Sequence, residues 1–347
     1  WQYLTRLNVA AILIVIVLML AALGSCFPQL PASVATDAER LASWETGLRT
    51  RYGALTDLLA TLRVFAWFRS SVFLLSLTLL AIATLVCTLD RWRPVWRRVW
   101  RPPTRPSAAI FDAAPHTARL SGFSATDLPR IVGERLERGG FHVWSESAGD
   151  LVYMRGDRNR LAPLATLVTH LAALLLLLGA VISSGLGWRE ELSIPPDATA
   201  EIGHKSRLAV RNDDFHITRY PDESVASYQA QVAVIDGDLE VARGTVQVNE
   251  PLSYGGLGLY LSGYRESEGR YDLTLVAVRD PGYSLVIAAG FLLLLGMTVS
   301  FNFPRAWIQA CFEPDGTLRL AVWGERRAYN FEREFRSLVE DLEGWKI

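Results

Sequence analysis

Half of the 347 residues are apolar, and 35 Lys and Arg stand against 36 Asp and Glu, so the net charge is near zero. Four apolar runs, at about residues 7–25, 71–89, 162–187 and 283–301, exclude a wholly soluble protein, because about 20 apolar residues cross a bilayer core as a helix. The class is a polytopic membrane protein with soluble insertions. The balanced charge hides segregation: six Arg and no acid lie in 91–105, whereas 189–282 holds nine basic and sixteen acidic residues.

The chain opens on a short leader, Trp1 to Arg6, with no initiator Met, so its true start is expected upstream. Transmembrane helix 1 is expected over 7–25. Cys26-Phe27-Pro28-Gln29 ends it, since Pro28 cannot continue a helix there. Gly24-Ser25-Cys26 also resembles the small-residue end of a signal peptide, but the length of the run and three further spans favour an uncleaved helix. Over 32–69, Thr36 with Glu39 reads as a capping box. Leu55, Leu58, Leu59, Leu62, Phe65 and Phe68 recur at helical spacing. That suits an amphipathic helical segment at the membrane surface, or a helix packed on its own protein.

Transmembrane helix 2 is expected over 71–89. Asp90-Arg91-Trp92-Arg93 and Trp96-Arg97-Arg98-Val99-Trp100-Arg101 follow it. Arg-rich flanks stay in the cytoplasm and Trp favours the interface. Topology and lipid headgroups explain the Arg run without a nucleic acid. The expected orientation has both termini cytoplasmic, 32–69 and 189–282 outside, and 90–161 and 302–347 inside. Pro102, Pro103 and Pro106 make a stiff break before a βαββ module. Its parts are a strand at His116–Leu120, a helix capped by Ser124 or Thr126, and a hairpin of Phe141–Trp144 with Leu151–Arg155. About 50 residues bury little core alone, so the module is expected to lean on the C-terminal tail.

Transmembrane helix 3, over 162–187, carries no formal charge and one titratable side chain, His170. Ala162, Thr166, Thr169, Ala173, Ala180, Ser183 and Gly187 form a small or polar stripe beside it, and small residues let helix backbones approach closely in membranes. An ionisable residue inside a span marks a candidate functional site. A histidine hydrogen-bonded to Thr166 or to a neighbouring helix is the plainer alternative. The insertion 189–282 shows seven alternating runs and a tight turn at Asp236-Gly237-Asp238, which suggests a β-sandwich or open barrel. After transmembrane helix 4, over 283–301, come a hairpin of Trp307–Phe312 with Leu318–Val322 and a helix capped by Asn330. The expected fold class is thus an α+β membrane protein: four transmembrane helices, a β-rich extracytoplasmic domain and a small α+β cytoplasmic module.

Cys26, Cys87 and Cys311 share no CxxC spacing and read as small apolar core residues. No nucleotide, HExxH or GxSxG signature is present. His116, His142, His204 and His216 are scattered and read as structural.

Four stretches carry a resemblance to the ResB/CcsB family of system II cytochrome c biogenesis proteins. Gly24-Ser25-Cys26-Phe27-Pro28-Gln29 is similar to the family's GT-x-x-PQ exit from the first span. Trp67-Phe68, followed by a span ending Val86-Cys87-Thr88-Leu89, looks like its wF…Ct pattern. His170 with Gly179, Gly185 and Gly187 looks like its H-x-x-L…G helix. Val248-Asn249-Glu250-Pro251-Leu252, with Tyr254, Gly256, Tyr260 and Tyr264, resembles its VN-x-PL-x-Y-x-G…Y signature.

The resemblance implies a subunit of a cytochrome c synthase in a bacterial cytoplasmic or thylakoid-type membrane. Such a subunit helps heme export and presentation for attachment to CxxCH apocytochromes, and is not catalytic alone. The implied partners are a CcsA-like membrane protein with a Trp-rich heme loop, apocytochrome c, a thiol-reducing thioredoxin-like protein and the lipid bilayer. The implied cofactor is heme, shared with a partner, and His170 would be its ligand from this chain. Asn249, Pro251, Leu252, Tyr254, Gly256, Tyr260 and Tyr264 are implied to be structural or partner-contacting. A non-catalytic scaffold for a membrane electron-transfer complex is the alternative, since only one histidine lies inside a span.

Overall fold

The computed structural model describes residues 7–30, 32–35, 38–105, 109–123, 127–204, 206–267, 270–324 and 331–344. Among them the chain runs α1 (Leu7–Ser25), α2 (Ala32–Ala35), α3 (Ala38–Tyr52), α4 (Leu55–Thr61), a 3₁₀ helix (Val64–Arg69), α5 (Ser71–Trp100) and α6 (Ala109–Ala113). Next come β1 (His116–Leu120), α7 (Leu128–Arg138), β2 (His142–Ala148), β3 (Leu151–Arg158) and α8 (Ala162–Leu186). Eight strands follow: β4 (Trp188–Ile194), β5 (Thr199–Glu201), β6 (Leu208–Arg219), β7 (Val225–Asp236), β8 (Leu239–Gln247), β9 (Leu252–Tyr254), β10 (Leu257–Ser267) and β11 (Arg270–Arg279). The last elements are α9 (Tyr283–Asn302), β12 (Ala306–Phe312), β13 (Leu318–Gly324) and α10 (Phe331–Glu343). The protein is mixed α/β, and α1, α5, α8 and α9 lie in four stretches long and apolar enough to cross a membrane. The predicted cap residues Thr36, Ser124, Thr126 and Asn330 lie outside the described residues.

The residues group into two compact units, one of 1–10, 82–174 and 289–347, the other of 11–81 and 175–288. In the first, a five-stranded sheet has the order β1-β13-β12-β3-β2. The C-terminal hairpin does more than lean on the βαββ module: β13 pairs with β1 and β12 with β3, all antiparallel, so it supplies the second and third strands. One sheet face buries Ile308, Ala310, Leu318, Leu320 and Val322 against Val132 and Leu136 of α7 and Phe335 and Leu342 of α10. The faces are apolar because α7 repeats Leu128, Val132 and Leu136 at helical spacing while the strands alternate.

The opposite face of that sheet holds a buried ion cluster. The carboxylate of Asp157 accepts from Arg155 Nε at 3.0 Å and from Arg305 Nη2 at 2.9 Å. Arg155 and Gln309 both donate to the Pro103 carbonyl, at 3.3 and 3.2 Å, which fastens the proline linker to the sheet. Burial pulls the Arg305 guanidinium below its usual range, and Asp157 opposes that shift.

In the second unit two four-stranded sheets, β4-β11-β10-β9 and β5-β6-β7-β8, face each other. They share a core of Ile194, Val210, Val232, Val234, Val246, Leu259, Leu273 and Leu275. Eight strands stand where seven runs are read from the sequence. Two of the alternating runs, at about 207–210 and 215–220, fall largely on the single strand β6, continuous through a register shift between Asn212 and Asp214. β5 and β9 are three residues each, too short to show a period.

Two other expectations change. The described residues of 32–69 are largely helical but broken, with the chain turned by Gly53 (φ +56) and Arg63 (φ +54). Leu55, Leu58 and Leu62 are exposed, whereas Phe65 is buried against Phe27, Trp44 and Tyr52. The helix of the second span does not stop at Leu89: α5 continues through the Arg-rich flank and Pro94 to Trp100.

Candidate functional site

The motif residues that lie far apart in the sequence come together in pairs. Gly24, at the end of α1, lies against Trp67 and Phe68, and a Cβ there would collide with both rings. Trp67 Nε1 donates to the Leu20 carbonyl at 2.7 Å. Gln29 Nε2 donates to the carbonyls of Gly24 (2.9 Å) and Val64 (3.1 Å), and its Oε1 accepts from Trp67 N at 3.0 Å. One amide side chain thus closes the last turn of α1 onto the 3₁₀ helix. Proline 28 forces the exit, Gln29 satisfies the freed backbone groups, and Gly24 leaves room for the rings. Cys26 is exposed, not core, while Cys311 is buried and burial pushes its thiol up.

The second pairing brings Thr88 of α5 to His170 of α8. Thr88 Oγ1 lies 3.2 Å from His170 Nδ1. The same hydroxyl donates its one proton to the Thr84 carbonyl at 2.7 Å. It therefore accepts from the ring, so Nδ1 carries the hydrogen and the lone pair of a neutral imidazole sits on Nε2. Among the described residues no hydrogen bond reaches Nε2. A half-buried imidazole held in that tautomer by a second residue is the arrangement that ligates metal ions through Nε2. Thr166, the other expected partner, is exposed.

Packing fixes the rotation of α8. Ala165 and Thr169 lie against Gly296 of α9, where a Cβ would come within 2.5 Å of Thr169 Oγ1. Further along, Gly179 lies against Gly282 and Val286, and Ser183 donates to Asp280 at 2.6 Å. The packed face therefore runs through Ala165, Thr169, Gly179 and Ser183. It is turned from the stripe read in the sequence, since Thr166 and Ala180 are exposed and Leu167 is buried.

The signature around residue 250 is two tight turns in a row. Gln247 and Glu250 exchange backbone hydrogen bonds at 3.1 Å across Val248-Asn249, with Asn249 at φ +68. Pro251 leads into β9, and Gly255-Gly256, at φ +53 and +81, returns the chain so that Tyr254 pairs with Leu257. Both central residues at positive φ make glycine the natural choice there. Leu252 and Tyr254 pack on the sandwich core, and Tyr264 joins rings with Phe215, Tyr228 and Tyr271 at 5.4–5.6 Å. Tyr260 is 44% exposed and lies across Gly258.

The other histidines stand apart. His142 meets Trp144 edge-on, His204 stacks on Trp188, and His216 Nε2 lies 2.9 Å from Asp214. Among the described residues no three His, Cys, Asp or Glu converge as a metal cluster. Sequence reasoning found His170 but not Thr88 as its partner, although Thr88 stands in one of the motifs.

A protein-family model described as the ResB-like family matches residues 7–279. The chain is 31% identical over 205 residues to a Cytochrome c biogenesis protein CcsB from Synechococcus sp. (strain JA-3-3Ab), covering 56% of this chain and 41% of that protein. It is 25% identical over 246 residues to Cytochrome c biogenesis protein CCS1, chloroplastic, from Arabidopsis thaliana, covering 65% and 44%. This chain spans less than half the length of those two relatives. A solved structure of Cytochrome c Heme Lyase CcmF aligns with 70% of this chain and 42% of that one at 14% identity and a TM-score of 0.36, too low to carry its fold over.

Proposed function

The chain belongs to the ResB-like family, and from that premise we propose that it serves cytochrome c biogenesis as one subunit of a membrane machine that exports heme and presents it to apocytochromes. The observation that carries the proposal is the Thr84–Thr88–His170 relay, which leaves Nε2 of an intramembrane histidine open. His170 Nε2 would hold the iron of a heme, for which neutral imidazole is a common ligand. Heme, when bound, supplies the vinyl groups that become thioethers with reduced CxxCH cysteines.

In this reading Thr88 holds the imidazole in the ligating tautomer, and Gly296 sets how close α9 lies to α8 beside it. The Arg-rich end of α5 lies in the cytoplasm with 302–347 and both termini, and 189–282 lies outside, because an Arg excess resists translocation. A CcsA-like partner brings the second ligand and the Trp-rich heme loop, a thioredoxin-like protein keeps the apocytochrome cysteines reduced, and the outer β domain faces the apocytochrome. The membrane is a bacterial cytoplasmic or thylakoid-type one.

The second reading is a non-catalytic scaffold, favoured by the single histidine within the spans. Co-purification separates the two. The synthase reading predicts that this chain, expressed with a partner bearing a heme loop, elutes as a complex with a Soret band. A stable complex free of heme in heme-replete membranes contradicts it.

A further inference from the structure

From Asp90, α5 runs about 16 Å beyond its apolar stretch. Trp92, Trp96 and Trp100 follow Thr88 along it at four-residue intervals. The rings touch in series: Trp92 and Trp96 have centroids 5.9 Å apart with planes at 13°, and Trp96 and Trp100 are 5.6 Å apart. Their own protein does not bury them. They are 50%, 46% and 45% exposed, while Val99 takes the buried side of the helix. An interfacial Trp belt sits at one membrane depth, yet this row extends about 12 Å along the helix axis.

The stretch from Thr88 to Trp100 meets the same second segment at both ends. At one end the Thr88 hydroxyl touches His170. At the other the Arg160 guanidinium, just before α8, lies 5.4 Å over the Trp100 ring. Arg91, Arg93, Arg97 and Arg98 flank the row and are exposed. A column of π faces rimmed by guanidinium groups suits a flat, anionic macrocycle: the rings stack on its plane and the Arg side chains take its carboxylates. One helical turn before Trp92, Thr88 holds the imidazole of His170. We infer that Trp92, Trp96 and Trp100 form a stacking track along which heme approaches His170 from the Arg-rich surface. This rests on the heme role proposed above.

The test uses the full chain in lipid nanodiscs and two probes: metal-free protoporphyrin IX, which histidine does not ligate, and hemin. Replacing the three residues together (W92L, W96L and W100L) is expected to weaken protoporphyrin binding by roughly tenfold or more, the loss of one or two stacking faces. The corresponding triple Phe variant is expected to stay within about threefold of wild type. His170→Ala should abolish the hemin Soret shift. Should the triple Leu variant fail to insert, Trp96→Leu alone is read the same way, with roughly a threefold loss. Wild-type affinity in the Leu variants, or equal uptake by empty nanodiscs, overturns the track whatever His170 does. Weakened binding in the Leu variants with an unaltered hemin Soret band in His170→Ala keeps the track and refutes ligation.

Discussion

Thr88 has one hydroxyl proton, and the Thr84 carbonyl takes it. The Nδ1–H of His170 is then held by the oxygen that remains. Thr88→Val removes that acceptor and frees the ring to turn, so heme affinity of the assembled complex should fall by about 10–100-fold, the usual cost of losing such a partner. Thr88→Ser should stay near wild type, and a heme titration distinguishes them. His170 is legible in the sequence because it is the one titratable group in a long apolar run. Thr88 is not, because its partnership depends on the register of α5 against α8, which neither local sequence encodes. The tyrosines show a similar boundary. Tyr264→Ala, which opens a cluster of four rings, should cost about 2 kcal/mol in denaturant unfolding. Tyr260→Ala should leave stability and protein level near wild type, since the ring is 44% exposed. If partner binding falls at normal stability, Tyr260 is a contact residue. A loss of stability equal to that of Tyr264→Ala returns it to the core.

Elements with strong periodicity are read correctly, and those set by distant contacts are not. The apolar faces of α7 and α10 and the Gly237-Asp238 turn follow from local pattern. The break at Gly53 and Arg63 does not, because Leu55 to Phe68 keeps helical spacing across it and Phe65 is recruited by rings from elsewhere. The ion cluster was equally hidden: Arg155 and Asp157 alternate as exposed strand residues would, and Arg305 lies 148 positions away. Asp157→Asn leaves two buried guanidinium groups without their carboxylate. It should destabilise the five-stranded sheet by about 3–5 kcal/mol, read by thermal unfolding of the purified protein. A change below about 1 kcal/mol would show that the cluster is solvated in the purified protein.

For the whole molecule, the family was legible because its motifs are structural joints: Gly24 and Gln29 with Trp67 and Phe68, Thr88 with His170, and the paired turns at Asn249 and Gly256. The proposed sidedness rests on charge segregation. In a Cys26→Ser background, Ser224→Cys, in the exposed turn between β6 and β7, should label with an impermeant maleimide on intact cells; labelling only after permeabilisation reverses the orientation. The proposed function depends on His170 binding the heme iron. It is tested most directly by the Soret spectrum of the assembled complex carrying His170→Ala, with and without added imidazole. Ligation by His170 predicts loss of the heme band and its return with imidazole, because the free base would replace the missing ligand. A folded complex with wild-type heme content, Soret position and cytochrome c maturation would contradict it.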